Sequence, residues 1–303
     1  MAAGEHDGDG DGDDSAAAPF RDHADALFRH DRQRPGVLHP TLLTRGPWDH
    51  GCLHGGAVCA AVGWALQRAQ PDAELALARL TVEIRTMVPL VPLETVAEVR
   101  KGGRRSRVLE AELRHDGRTL VRATSQWILH RPDELAAAGA GPRPDAVPAR
   151  PTQRHDPGAR TDVDYPRPGF NCDAVELRPL LGTTEDEGPG RIWVRLRHPV
   201  VAGEATSPTL AMMALADFGI AVGWQRSPSG AGVINPDVTL QLNRPPLGDW
   251  VLMDSRAHSG PSGMGFCETL LSDDHGPFGR ILQTLVETPE ELDLPSGMGR
   301  DPS

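Results

Sequence analysis

The chain has 303 residues, of which 39% are apolar, with a net charge of −11 and a pI near 5.5. That acidity argues against nucleic acid as a partner, and no apolar run is long enough to span a bilayer as a helix. The length allows one large domain or two ordinary ones.

Residues 1–18 are rich in Asp and Gly and read as a disordered acidic tail. Asp7, Asp9 and Asp11 imitate the start of an EF-hand loop, but its twelfth position is Ala18 instead of Glu, so calcium is not expected. No charged-then-apolar leader opens the chain. Cys52, Cys59, Cys172 and Cys267 contain no CxxC pair, so the expectation is a cytoplasmic protein with reduced thiols.

His50, Cys52 and His54 alternate and would share one face of a strand. A zinc ion would want a fourth ligand, and Asp49 points the other way, so no metal is expected. Residues 55–70, GGAVCAAVGWALQRAQ, are small and apolar nearly all round and read as a buried helix ending before Pro71. From residue 75 the period becomes two: Leu80, Val82 and Ile84 alternate with Thr81, Glu83 and Arg85. Three more strands follow at hairpin spacing over 93–101, 106–115 and 119–130. Residues 131–169 are rich in Pro, Ala, Gly and Arg and read as a linker.

The second half repeats this plan. A strand is expected over 191–201 and a helix over 207–224, with Ser207 as its N-cap and Pro208 in its first turn. Strands are expected over 233–246, 249–259, 265–273 and 278–287, and residues 291–303 read as a flexible tail. The tetrapeptide AVGW occurs at 61–64 and again at 221–224. Val82 and Ile84 match Leu240 and Leu242 at an offset of 158, and Gly117 matches Gly276 at 159. Such steady offsets indicate duplication, with repeats over 19–130 and 170–290. Each is an α+β unit with a long helix wrapped by a curved antiparallel sheet.

Only the second helix carries an acid: Asp217 stands where the first copy has Ala57. A carboxylate in an apolar helix must be paired, protonated or functional. It caps or pairs with an arginine such as Arg244, or it serves as a base.

HGG before a buried helix, followed by TVEIRTMVP, GRRSRVLEAEL and RTLVRATSQW, resembles the first half of the acyl-CoA thioesterase II family. ALADFG, INPDVTLQLNRPP and GRILQTLVE resemble its second half. The resemblance implies a double hotdog fold, with one central helix per repeat. It also implies hydrolysis of an acyl thioester by a water, without a covalent intermediate or a cofactor. The family's Asp falls on Asp217 and its Gln on Gln283; the hydroxyl residue between them falls on Asn235, a departure from the usual Thr or Ser. An amide also donates to and accepts from a water.

The helix N-terminus after His54, Gly55 and Gly56 offers donors for an oxyanion or substrate carbonyl, or its glycines only permit close packing. Arg100, Arg104, Arg105 and Arg107 either meet CoA phosphates or form a solvated cluster. The six tryptophans are expected in the core, with one or two lining an acyl tunnel. No GxSxG elbow or GxGxxG fingerprint occurs. Two rivals remain. One is a hotdog hydratase or dehydratase, which needs an Asp and His pair that neither His258 nor His275 supplies in a family-like motif. The other is a non-catalytic acyl-thioester binding protein. A homo-oligomer through the sheets is expected. The sequence does not select an acyl length or a carrier, CoA or acyl carrier protein.

Overall fold

The computed structural model describes residues 25–47, 49–131, 147–157, 165, 167–227, 229 and 232–287. The expected tails at 1–18 and 291–303, with their Asp7, Asp9 and Asp11, lie outside the described residues, as does Trp48.

The first half contributes β1 (Phe28–His30), β2 (Val37–Pro40), α1 (Gly55–Ala69), β3 (Leu75–Ile84), β4 (Leu93–Lys101), β5 (Ser106–His115) and β6 (Arg118–Leu129). The second contributes β7 (Val175–Leu181), β8 (Gly190–Leu196), α2 (Pro208–Leu215), α3 (Gly219–Val222), β9 (Val233–Ile234), β10 (Asp237–Leu242), β11 (Val251–Ser259), β12 (Met264–Asp273) and β13 (Gly276–Glu287). They build one 13-stranded sheet in the order β1-β2-β4-β5-β6-β3-β10-β13-β12-β11-β8-β7, with β9 paired to β13 off this path.

That order reads the same outward from its middle. β3 and β10 lie side by side and antiparallel, with Thr81 directly opposite Thr239. Their hydroxyls are 3.3 Å apart. These two residues are equivalents at the sequence offset of 158, so a pseudo-two-fold axis runs between them. Beyond them β6, β5 and β4 on one side mirror β13, β12 and β11 on the other. The inner faces are apolar at every second position, as a half-buried strand requires: Leu80, Val82, Leu109, Leu113, Leu240 and Ile281 are fully buried. Each such side chain contributes about 1.5–3 kcal/mol by leaving water.

The helices fill the curve of this sheet. Gly56 through Leu66 of α1 are buried without interruption, which is why the sequence there shows no polar stripe. α1 and α2 run antiparallel: Gln67 Nε2 donates to Ser207 Oγ at 2.9 Å at one end, and Gly56 lies against the Ala214 carbonyl at the other. A Cβ on Gly56 would come within 2.6 Å of that carbonyl oxygen, so the glycine is required by close approach.

Three expectations need correction. The second central helix is not continuous over 207–224: α2 ends at Leu215, Ala216–Phe218 form a 3-10 turn, and α3 resumes at Gly219. The Gln283 amide donates to the Asp217 carbonyl at 3.1 Å, which gives that carbonyl a partner outside the helix. Gly219, a weak helix former, leaves room for Gln283 Oε1 to approach to 2.8 Å of where a Cβ would sit. Second, the strand expected over 233–246 breaks at Asn235–Pro236, because proline has no N–H for the ladder. The pairing of β9 with β13 is one residue out of step with that of β10, so a bulge lies opposite Gln283 to Leu285. Third, the described part of the 131–169 segment is docked. Pro148 O accepts from Trp193 Nε1, Pro151 O accepts from Arg178, and His155 bridges to Leu177 of β7.

Candidate active site

Asp217 lies in the 3-10 turn between α2 and α3, 6% exposed, where the N-terminus of α1 meets the break in the second helix. The bulge turns Asn235 toward it: Asn235 Nδ2 donates to Asp217 Oδ1 at 2.7 Å and to the Asp237 carbonyl at 3.2 Å. Gln283, 1% exposed on β13, donates to the Asp217 carbonyl and approaches Oδ1 at 3.5 Å. The three residues named from the sequence therefore meet. Both amides approach the same carboxylate oxygen, Oδ1.

The whole carboxylate faces the start of α1, both oxygens lying against Gly55 in space a side chain would occupy. Oδ2 is also 3.5 Å from His54 Nδ1. A negative charge is favoured at this end of a helix. His54 is the N-cap of α1, and its Nδ1 accepts from the Gly56 N–H at 2.8 Å. A nitrogen that accepts carries no proton, so the Asp217 contact is not an ion pair while this cap holds. Burial pushes the His54 pKa below its ordinary value, against the opposing pull of Asp217. The ring is neutral with its proton on Nε2, and it stacks on Phe170 at 4.5 Å between centroids. Of the donors expected at this helix end, the Gly56 N–H is spent on the cap.

Two cavities meet at His54, Asp217, Ile234 and Asn235. The first is lined further by Ile220, Ala221, Trp224 and Val233 with Tyr165, Asn171 and Thr184. The second runs past Cys52, Val58, Ile84 and Met87 to the exposed Arg85. Among the described tryptophans, Trp224 lines the first cavity beside the acid. Tyr165, Asn171 and Thr184 of the first cavity escape the sequence reading, because they come from segments that carry no motif, and Arg85 reads there only as an outward residue of a strand.

Other candidates are drawn elsewhere. Arg244 makes two bonds to Asp273 at 2.6 and 2.7 Å, so it is not the partner of Asp217. Arg107 is held by Gln70 and Asp72, and Arg100 by Glu98 and Glu110. His258 stacks on Phe266 and meets Glu268, and the His275 N–H donates to Asp273. Cys52 meets Asp49, and burial with that charge raises its thiol to about 11. Among the described residues no three His, Cys, Asp or Glu side chains are grouped to hold a metal.

Comparisons with known proteins bear on the family and the fold. The family described as "Acyl-CoA thioesterase N-terminal domain" matches residues 44–128, and "Acyl-CoA thioesterase C-terminal domain" matches residues 143–286. No curated protein matches the chain. Among solved structures, a hot dog fold protein from Alicyclobacillus acidocaldarius is 16% identical with a TM-score of 0.63, covering 88% of this chain and 97% of its own. The acyl-CoA thioesterase II TesB2 from Mycobacterium marinum is 14% identical with a TM-score of 0.58, covering 87% and 96%. At such identities these two show the fold, a double hotdog. With both halves matched in order, the chain belongs to the acyl-CoA thioesterase family of thioester hydrolases.

Proposed function

We propose that the protein hydrolyses an acyl-CoA, with Asp217 as the base that activates water. The observation that carries this reading is the placement of the acid. Its Oδ1 is held by Asn235 and approached by Gln283, and Asp217 lines both cavities where they meet. Asp217 Oδ2 takes a proton as the water oxygen attacks the thioester carbonyl carbon. The tetrahedral oxyanion collapses, the carbon–sulfur bond breaks, and the thiolate leaves with that proton. The remaining N–H of neutral His54, on Nε2, is the donor for the oxyanion. Asn235 and Gln283 orient the acid. The acyl group occupies the first cavity and the pantetheine arm the second, with Arg85 toward the CoA phosphates. The division into repeats 19–130 and 170–290 joined by 131–169 belongs to the same reading. So does a cytoplasmic location. Thiol release across a panel of acyl-CoA substrates tests it: no release from any member removes it.

A second reading gains one observation. Asp217 and His54 form the Asp and His pair of a hotdog hydratase, 3.5 Å apart. Incubation with enoyl-CoA separates the two, since hydration adds water and releases no CoA.

The outward face of β12 and β13 supports a homo-oligomer through the sheet. Met264, Phe266, Leu270, Leu282 and Val286 are all exposed there. Light scattering of the wild type and of Leu282→Glu tests this.

A further inference from the structure

The first cavity contains polar atoms that a hydrocarbon chain would leave without partners. Asn171 Oδ1, Thr184 Oγ1 and Trp224 Nε1 are buried and have no hydrogen-bond partner among the described residues. All three residues line the cavity that Asp217 and Asn235 also line. They come from separate places in the chain: the turn before β7, the loop between β7 and β8, and the end of the second central helix. Asn171 is 9% exposed and Thr184 3%.

Native proteins leave few buried polar atoms unpaired, since each one costs about 1–3 kcal/mol. Three on one cavity beside a reacting group call for a ligand that pairs with them. Their chemistry says which. The indole N–H only donates, the threonine hydroxyl does either, and the asparagine amide presents a donor or an acceptor according to its orientation. A hydroxyl fits this set because it accepts from Trp224 and donates to Asn171 or Thr184. Among the described residues the lining contains no Lys or Arg to compensate a carboxylate on the substrate.

Resting on the thioester-hydrolase reading, we infer that the acyl group carries a neutral oxygen function, a hydroxyl above all. Asn171, Thr184 and Trp224 bind it while Asp217 acts at the thioester carbonyl. These three residues set substrate specificity. The competing account is that they serve ordered water alone.

The test uses the full chain and acyl-CoA pairs that differ by one hydroxyl: butanoyl with 3-hydroxybutanoyl, hexanoyl with 3-hydroxyhexanoyl, and benzoyl with 4-hydroxybenzoyl. Thiol release gives kcat/KM for each. The expected result is a preference of about tenfold or more for the hydroxylated member of at least one pair. That ratio falls toward unity in Thr184→Val, which keeps shape, and in Trp224→Phe, which gives up ring volume; each removes the polar atom. Thermal melting checks that each variant folds, and Asn171→Leu stands in if one does not. A wild type with no preference in any pair overturns the inference and leaves the hydrolase reading intact, the three groups then holding water only. A preference that survives the substitutions overturns the assignment to these residues. A wild type that releases no thiol from any substrate removes the hydrolase reading and this inference with it.

Discussion

The carboxylate of Asp217 occupies the space that a side chain on Gly55 would need: a Cβ there would come within 2.5 Å of Asp217 Cγ. The neighbouring Gly56 faces a main-chain oxygen instead, that of Ala214. Gly55→Ala is therefore expected to displace the acid and lower kcat by about 10²-fold, the scale of a misplacement near 1 Å. Gly56→Ala is expected to act through packing and cost about 1–3 kcal/mol of stability. Turnover and melting temperature measured on both variants check this; unchanged turnover in Gly55→Ala would separate the acid from the chemistry.

Asp217→Asn keeps the shape of the side chain and removes the base. A drop in kcat of about 10²–10⁴-fold is expected, with little change in melting temperature. Near wild-type turnover in a folded Asp217→Asn would sink the mechanism.

Asn235 joins the acid to the bulge, since its Nδ2 reaches both Asp217 Oδ1 and the Asp237 carbonyl. Asn235→Ala loses both bonds, and a fall in kcat with about 1 kcal/mol of stability is expected. A threonine hydroxyl has one proton and replaces only one of them, so Asn235→Thr should recover turnover more fully than stability. Gln283 approaches the same carboxylate oxygen, so Asn235→Ala and Gln283→Ala together should be less than multiplicatively worse than either alone. Independent effects would place the two amides in separate roles.

Much of this fold is legible in local pattern. The strands of both repeats alternate with period two, and the turns carry glycine where φ is positive, as at Gly117 and Gly276. The short strands β1, β2 and β7 are not legible, because only partners distant in sequence define them. The helix break at Asp217 is hidden for a similar reason: the partner its carbonyl takes there is Gln283, which lies 66 residues away. An acid in an apolar helix singles out Asp217, but Asn235 and Gln283 are picked out only by the family resemblance, which implies three groups around one water. The coordinates add that both amides turn to the acid itself. From the sequence, the helix start at His54, Gly55 and Gly56 reads equally as a source of backbone donors or as a site of close packing, and the cap made by the His54 ring is not legible. The Gly56 bond assigns Nδ1 to the cap and leaves Nε2 outside it, the nitrogen given to the oxyanion in the mechanism proposed above.

His54 therefore has two separable jobs. Asparagine is a good N-cap and alanine is not, so His54→Ala should cost about 1 kcal/mol and His54→Asn much less. Both remove the Nε2 donor, and both should lower kcat to a similar extent. If His54→Asn retained full turnover, the ring would serve the helix alone.

The pair of Asp273 and Arg244 predicts how the fold meets acid. Asp273 is fully buried and Arg244 makes two bonds to its carboxylate. Burial alone would raise its pKa; the bonds from Arg244 and from the Leu247 and His275 N–H groups outweigh it and hold the carboxyl below 3.8. The unfolded chain then binds the proton more readily than the folded one. The stabilisation is complete above the unfolded value and is lost as pH falls through the lower, folded value. Asp273→Asn should remove this contribution and leave the Arg244 charge without its partner, at a cost of about 3 kcal/mol near neutrality. Urea midpoints from pH 6 down to the acid limit should converge for wild type and Asp273→Asn as acidity rises. Parallel curves with a constant gap would show that proton uptake at Asp273 does not drive acid unfolding.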